Sequence, residues 1–233
     1  MQSVKPKTQE KNYLALEKIS QDLGLDLFGV ADISGIKDEF LISKKVLGRF
    51  DKAVCLGARL STAVLEEIED VPTRLYFHHY RTVNAFLDQA AFKLSQEIQK
   101  KGYLALPIPA SQIVDWQNQK AHLSHKTVGY LAGLGWIGRN NLLVNKKLGC
   151  QFRLVTILTN MPLNTDKPRK ETCQECRRCI KACPVSAIKE KPAEFDHRRC
   201  FEELKEFQKK RLVDQYICGV CVKVCRGEIR IDS

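Results

Sequence analysis

The chain has 233 residues and a formal net charge of +11, with 44% hydrophobic and 28% charged residues. This composition is typical of a soluble globular protein with one good core and room for a small module beside it. No apolar run approaches the roughly 18 residues of a membrane span, and the opening MQSVKPKTQEK lacks an export signal. We therefore expect a cytoplasmic protein with no membrane partner.

Apolar spacing predicts alternating helices and strands. In chain order, these are a helix over 8–24, strands over 26–32 and 52–60, a short helix over 61–68, a long helix over 73–101, an edge strand over 103–109, a helix over 122–134 and a strand over 151–160. Interleaved strands and helices indicate an α/β or α+β sandwich. The polar stretch 161–172 is predicted to link a core domain, residues 1–165, to a second domain, residues 166–233.

The second domain is defined by its cysteines. Four of them form the pattern C-x2-C-x2-C-x3-C-P, and four more follow; the eight are Cys173, Cys176, Cys179, Cys183, Cys200, Cys218, Cys221 and Cys225. Eight thiolates are the number needed for two 4Fe–4S clusters. In two-cluster ferredoxins the fourth cysteine of such a run ligates the other cluster. That rule assigns Cys173, Cys176, Cys179 and Cys225 to a first cluster, and Cys183, Cys200, Cys218 and Cys221 to a second.

Other uses of these cysteines are less compatible with the pattern. Zinc modules usually separate two C-x2-C pairs by a dozen or more residues, whereas here four cysteines fall close together before Pro184. Disulfides would require an oxidising compartment. Two details depart from the ferredoxin pattern: Arg226 rather than Pro follows Cys225, and Cys200 is distant from Cys218. Cys55 and Cys150 lie in apolar stretches and are expected to be inert core thiols.

A glycine pattern precedes the cysteines. Residues 133–138, GLGWIG, satisfy the dinucleotide fingerprint G-x-G-x-x-G. That fingerprint follows a strand, opens a helix and has an acidic residue about 20 positions later. Here the preceding segment is predicted to be helical, and the next acidic residue is Asp166. Binding of NAD(P) at this position is therefore disfavoured.

GLGWIGRNNLLV at 133–144, followed by a strand, the eight cysteines and DHRRC at 196–200, resembles epoxyqueuosine reductase. That family is similar to the corrinoid-dependent reductive dehalogenases. The resemblance implies a nitroreductase-like core that holds cobalamin and a ferredoxin-like module that supplies its electrons. It implies that Gly135, Trp136, Gly138, Arg139 and Asn140 line or support the corrinoid pocket. It also implies a low-potential electron donor such as a flavodoxin or ferredoxin.

The chain departs from this family at the proton donor. The acid that the family places about fourteen residues before GLGW corresponds to Gln119, which cannot donate as a carboxylic acid does. Asp115 is the nearest carboxylate and is expected to be a solvated or capping residue. Tyr80 could serve as a phenolic donor, although a tyrosine on an amphipathic helix is more often a packing residue. The chain also ends soon after its last cysteine, where the family continues into a helical-repeat domain that helps hold tRNA.

The histidines give no clear site. His78 and His79 face different sides of the predicted helix, and His122 and His125 could meet on one helix face in a polar or capping role.

Two classes of function remain. The first is an iron–sulfur oxidoreductase that passes single electrons to a corrinoid or another redox ligand in the core. The alternative is an electron-transfer protein of ferredoxin type, without corrinoid, that docks to a partner enzyme. Binding of tRNA through the spread positive charge, including Lys209, Lys210 and Arg211, is a third possibility.

Overall fold

The computed structural model of the chain describes residues 6–228 and has a mixed α/β architecture, as predicted. The helices in this range are α1 (Pro6–Asp22), α2 (Lys44–Leu47), α3 (Thr62–Glu66), α4 (Arg74–Lys100), α5 (His125–Leu131), α6 (Arg178–Ala182), α7 (His197–Lys209) and α8 (Val220–Lys223). The strands are β1 (Leu27–Asp32), β2 (Lys52–Arg59), β3 (Ala105–Ile108), β4 (Trp136–Ile137), β5 (Leu143–Val144) and β6 (Phe152–Thr159).

The main sheet has four strands in the order β1-β2-β6-β3. β1 pairs with β2, and β3 pairs with β6, both antiparallel. β3 lies at an edge, as the prolines of its sequence predict, because proline has no N–H to offer a second neighbour. β4 and β5 form a separate antiparallel hairpin.

The two inner strands, β2 and β6, are buried on both faces. The sequence predicts one buried face for β6, with Phe152, Leu154, Thr156 and Leu158 on it. The structure buries Val155 and Ile157 completely as well, so both faces of this strand contribute to the core. A continuous apolar run is what a strand covered on both sides requires.

Helix α5 begins later than the sequence predicts. The Ser124 hydroxyl accepts a hydrogen bond from Thr127 N at 3.3 Å and caps the helix, so the helical turns start at His125. His122 precedes the cap, and its Nδ1 lies 3.1 Å from the Leu41 carbonyl oxygen. The prediction that His122 and His125 share a helix face is therefore wrong.

His125 is instead part of a buried polar group in the sheet. Its Nε2 lies 2.8 Å from the Pro109 carbonyl oxygen, which can only accept, so Nε2 carries the proton. Its Nδ1 then accepts from the Thr156 hydroxyl at 2.8 Å. Burial lowers the pKa of His125 to about 4 and raises the pKa of Cys55 to about 12, so both side chains stay neutral near pH 7. Cys55 is the inert core thiol that its sequence predicts.

Helix α4 matches the predicted long helix and has 27 residues. Leu87, Ala90, Leu94 and Ile98 form its buried row, while Phe86 on the predicted apolar side is half-buried. Among the described residues, no helix combines the length and apolar character that crossing a bilayer requires.

The chain divides into two compact units. Of the described residues, the first contains 6–58, 84–134 and 153–169, and the second contains 59–83, 135–152 and 170–228. The predicted boundary at residue 165 assigned 59–83 and 135–152 to the core domain. They belong to the second unit because they bond to the cysteine-bearing segment: Lys223 Nζ, for example, donates to the Glu66 carbonyl oxygen at 3.1 Å.

The segment 161–172, predicted to be a link, has no regular secondary structure. Its first half is nevertheless fixed within the first unit by Asp166. The Asp166 carboxylate accepts from Val30 N at 2.8 Å and from the Tyr13 hydroxyl at 3.2 Å. The first half of this segment therefore belongs to the first unit, and the stretch that could act as a link is shorter than the predicted 161–172.

Candidate metal centre

The eight cysteines lie in the second unit, on short helices and the loops between them. Cys179 and Cys221 are on α6 and α8, Cys200 is on α7, and the others are in loops next to these helices; those others are Cys173, Cys176, Cys183, Cys218 and Cys225. α6 packs against α8, which brings the two cysteine-bearing stretches together. Short helices separated by loops let several thiols from one stretch face a common point.

Four of the thiols form a first group. Cys179 interacts electrostatically with Cys225, Cys173 and Cys176. Cys176 also interacts with Cys225, which is the last of the eight in the sequence. Three members therefore come from the first cysteine run, and the fourth comes from the end of the second.

The other four thiols form a second group. Cys218 interacts electrostatically with Cys200 and Cys183, and Cys221 interacts with all three of them. Cys221 also interacts with Cys179 of the first group, so the two groups are neighbours. Among the described residues, no three or more His, Cys, Asp or Glu side chains form a group that could hold a single metal ion.

The two groups differ in their surroundings. Burial raises the pKa of Cys200 to about 11 and of Cys218 to about 12, and it raises that of Cys221 as well. In the first group, burial raises the pKa of Cys179 to about 11. The pKa of Cys176 is lowered overall, because hydrogen bonds with Arg178 outweigh its partial burial.

The first group also has the more accessible edge. Cys176 is exposed, and it lines a shallow depression of about 480 Å³ together with Glu175, Arg177, Arg178 and Lys181. Three of these four neighbours are cationic. Arg177 is paired with Glu190 at 2.7 Å, so Arg178 and Lys181 carry most of the positive charge beside Cys176.

The residues of GLGWIGRN bond to the loops of the first cysteine group. Trp136 Nε1 donates to Cys173 Sγ at 3.5 Å, and a Cβ at Gly138 would lie 3.4 Å from the same sulfur. The Arg139 guanidinium donates to the carbonyl oxygens of Gln174 at 2.7 Å and Cys176 at 2.9 Å. Arg139 thus fixes the loop that carries two of the four thiols.

Gly135 and Asn140 complete this segment. A Cβ at Gly135 would overlap the Val144 carbonyl oxygen, so the β4–β5 hairpin closes tightly there. Asn140 Nδ2 donates to Cys150 Sγ at 3.2 Å. The segment follows a helix and opens a strand, which is the reverse of the dinucleotide fingerprint's context.

Cys150 is a site residue that the sequence analysis missed. It is buried, as predicted, but it is not isolated from the other thiols. Its amide donates to the Cys225 carbonyl oxygen at 3.1 Å, and its thiol hydrogen bonds with the Cys225 side chain. That bond lowers the pKa of Cys225 despite its burial. The apolar flanks of Cys150 conceal this contact, which joins positions 75 residues apart.

The candidate proton donors Asp115 and Tyr80, together with Gln119 and His79, have local contacts of their own. The Asp115 carboxylate accepts from Asn118 N at 3.0 Å and so caps a turn, and Gln119 follows in the left-handed region with φ 53°. Tyr80 is buried and contacts the Tyr76 ring, with 6.2 Å between centroids. His79 Nε2 accepts from Ser61 N at 2.9 Å, and burial lowers its pKa. None of these contacts joins two of the four residues Asp115, Gln119, Tyr80 and His79.

Comparison with known proteins identifies the domain that carries the eight cysteines. Residues 172–227 match the family described as a 4Fe–4S double cluster binding domain. The epoxyqueuosine reductase of Leadbetterella byssophila is 38% identical over 103 residues, which are 40% of this chain and 33% of that protein. The epoxyqueuosine reductase of Cyclobacterium marinum is 26% identical over 253 residues, covering 94% of this chain and 79% of that protein.

Solved structures share the fold. An epoxyqueuosine reductase from Streptococcus thermophilus superposes with a TM-score of 0.63 at 20% identity, covering 94% of this chain and 68% of that one. A reductive dehalogenase described as B12-dependent gives 0.67 at 20% identity, covering 78% and 26%. An epoxyqueuosine reductase with a tRNA-Tyr stem loop gives 0.61 at 19% identity, covering 91% and 64%. The resemblance stated from the sequence is confirmed.

We predict that Gly149→Ala disrupts the first cysteine group. Gly149 has φ 61°, and an added Cβ would overlap the Cys225 carbonyl oxygen. Gly24 has φ 81° with nothing within 4 Å, so Gly24→Ala is a matched control for the cost of the left-handed backbone alone. That cost is about 1–2 kcal/mol.

Gly149→Ala should therefore lower the unfolding free energy by more than Gly24→Ala, and it should also lower the iron content after reconstitution. Denaturant titration and iron analysis measure the two effects. Equal losses of stability with unchanged iron would contradict the predicted overlap.

Proposed function

We propose that the chain is an iron–sulfur oxidoreductase of the epoxyqueuosine reductase-like type. Two 4Fe–4S clusters in the second unit would accept single electrons from a low-potential donor and pass them to a redox ligand of the first unit. The observation that carries the proposal is the division of the eight thiols into two groups of four within a matched double-cluster domain. The nitroreductase-like character of the first unit is part of the proposal and rests on the resemblance alone.

The proposed ligands of the first cluster are Cys173, Cys176, Cys179 and Cys225. Those of the second cluster are Cys183, Cys200, Cys218 and Cys221. The electrostatic partners of Cys179 and Cys218 support this division, because each interacts with proposed members of its own set. Four thiols per set are the donors that a cubane needs, so the residues fit the group. The clusters would supply one-electron chemistry, and the protein would supply their insulation and hydrogen bonds.

Replacing Cys176 by Ala should remove about half of the iron, since a complete double-cluster protein holds about eight irons. Cys55→Ala is the matched control, because Cys55 is buried in β2 within the first unit. It should keep the full iron content. Iron and acid-labile sulfide are measured after anaerobic reconstitution. A full zinc complement without visible absorption would overturn the proposal.

The depression beside Cys176 is the proposed docking site for the electron donor. An exposed ligand gives a donor a short path to the first cluster, and Arg178 and Lys181 favour an acidic partner surface. Flavodoxin or ferredoxin is the expected class of donor. Charge complementarity of this kind mainly raises the association rate and makes binding dependent on salt.

Lys181→Glu should therefore weaken binding of an acidic flavodoxin several-fold at low salt, and the difference should shrink as salt is raised. Lys45→Glu, at an exposed position of α2 in the first unit, changes the net charge equally and should bind as the unaltered chain does. Calorimetry on the reconstituted proteins measures both. Equal losses of flavodoxin affinity in the two variants would contradict the proposed docking site. They would mean that the donor binds elsewhere or that only the net charge of the chain matters.

Cobalamin is the redox ligand that the B12-dependent dehalogenase suggests. Trp136 Nε1 already donates to Cys173, and the two terminal nitrogens of Arg139 donate to the loop that carries this cysteine. Asn140 donates to Cys150. Trp136 therefore does not fit as a polar contact of a corrinoid, because its one side-chain N–H is already used. The resemblance implies that these three residues line or support the corrinoid pocket, whereas their contacts support the first cysteine group.

The second candidate function is electron transfer without corrinoid, as in a ferredoxin that docks to a partner enzyme. Two observations favour it. Gln119 occupies the position of the family's acid, and side chains of GLGWIGRN donate hydrogen bonds to the loop that carries Cys173 and Cys176. Binding of tRNA is a weaker alternative, supported by the exposed cations Lys209, Lys210 and Arg211 at the end of α7 and by the stem loop bound to a related reductase.

Titration of the reconstituted protein with cob(II)alamin separates the two functions. Binding should produce a base-off cobalt signal in EPR and a change in absorbance that saturates at one equivalent. No spectral change at saturating cobalamin would exclude cobalamin as the redox ligand. Electron transfer without corrinoid would then be the favoured function.

A further inference from the structure

The sulfurs of the first set receive hydrogen bonds from side chains. Trp136 Nε1 donates to Cys173 at 3.5 Å. The Cys150 thiol bonds to Cys225, and Arg178 bonds to Cys176. Three of the four ligands proposed for the first cluster therefore have a side-chain donor.

These donors are held in place by further contacts. The β4–β5 hairpin carries Trp136, and Arg139 ties the Cys173–Cys176 loop to the hairpin through two carbonyl oxygens. The Cys150 thiol is oriented by Asn140 and by its own amide, which bonds to the Cys225 carbonyl oxygen. A donor fixed in this way does not have to reorganise when the charge of the cluster changes.

The second set has different surroundings. Its sulfurs receive backbone hydrogen bonds, from Ala187 N to Cys183 at 3.3 Å and from Val220 to Cys218. Its neighbours include two carboxylates, Asp196 and Glu203, which interact electrostatically with Cys200. Backbone amides are good donors, but the nearby negative charges oppose the addition of an electron.

Reduction adds one negative charge to a cluster. Hydrogen bonds to the sulfurs, nearby cations and contact with solvent stabilise that charge and raise the reduction potential, whereas burial and neighbouring carboxylates lower it. The side-chain hydrogen bonds, the Arg178 cation and the exposure of Cys176 act at the first set, whereas Asp196 and Glu203 lie beside Cys200 of the second set.

We propose that the first cluster has the higher reduction potential of the two and that Trp136 is a positioning residue that raises it through Cys173. The inference rests on the proposed ligation. One electron from a reduced donor converts the first cluster from the 2+ to the 1+ state, and the donor is oxidised by one electron. The electron then resides beside the GLGWIGRN segment before the second cluster is reduced.

The test is a redox titration of the reconstituted protein, with dithionite as reductant and EPR detection. The unaltered chain should show two one-electron waves. Trp136→Phe keeps an aromatic ring but removes the N–H donor, and it should lower the reduction equilibrium constant of the higher wave about tenfold, which is 59 mV for one electron. The lower wave should not move.

Trp116→Phe is the matched control, because Trp116 is the other tryptophan of the chain, lies in the first unit and is exposed. It should leave both waves in place. Cys150→Ala provides a second, independent variant if Trp136→Phe assembles poorly, and it should also lower the higher wave.

An unchanged higher wave in both variants, or a shift confined to the lower wave, overturns the inference. Failure of the proposed function has a different signature. A chain that holds zinc, or that takes up far fewer than eight irons, shows no pair of waves at all. If the chain holds about eight irons but the higher wave is unchanged by Trp136→Phe and Cys150→Ala, only the proposed effect of Trp136 on the reduction potential is refuted.

Discussion

The second unit depends on one set of hydrogen bonds, those between residues 135–152 and the first cysteine group. Trp136, Arg139 and Cys150 each bond to a different part of that group, and all three come before Cys173 in the chain. A cubane held by four thiolates carries net negative charge, and a partly buried charge requires fixed donors around it. The segment 135–152, which contains the β4–β5 hairpin, supplies those donors, and this explains why it belongs to the cysteine-bearing unit.

Much of the fold could be predicted from the sequence, because its signals are local. Apolar spacing located α1, α4 and the inner strands to within a few residues, and the prolines of 103–109 identified the edge strand. Helix α5 was predicted to begin too early, because its apolar spacing continues on the N-terminal side of Ser124, whose hydroxyl caps the helix. Periodicity does not detect a cap within an otherwise helical pattern.

The candidate site was likewise predictable where its signals are local in the sequence, and not where they depend on the tertiary fold. Cysteine spacing predicted the double-cluster domain, since ligand runs have characteristic intervals. The contacts of Trp136 with Cys173 and of Cys150 with Cys225 join residues far apart in the chain, and no local pattern reports them. Cys150 was interpreted as a core thiol because its neighbours are apolar. Its burial was predicted correctly, whereas its partner depends on the tertiary fold.

The exchange of one cysteine between the two runs has a topological consequence. Cys179 and Cys183 lie within and at the end of the same short helix, α6, yet they belong to different groups, while Cys225 returns to the group of Cys179. With this ligation the first cluster closes a loop, between Cys179 and Cys225, that contains all four ligands of the second cluster, so the second is nested within the first. Oxygen reaching the exposed sulfur of Cys176 would then loosen α6 and undermine the sheltered cluster as well. Oxidative damage would be cooperative, and its point of entry would be the edge that faces solvent.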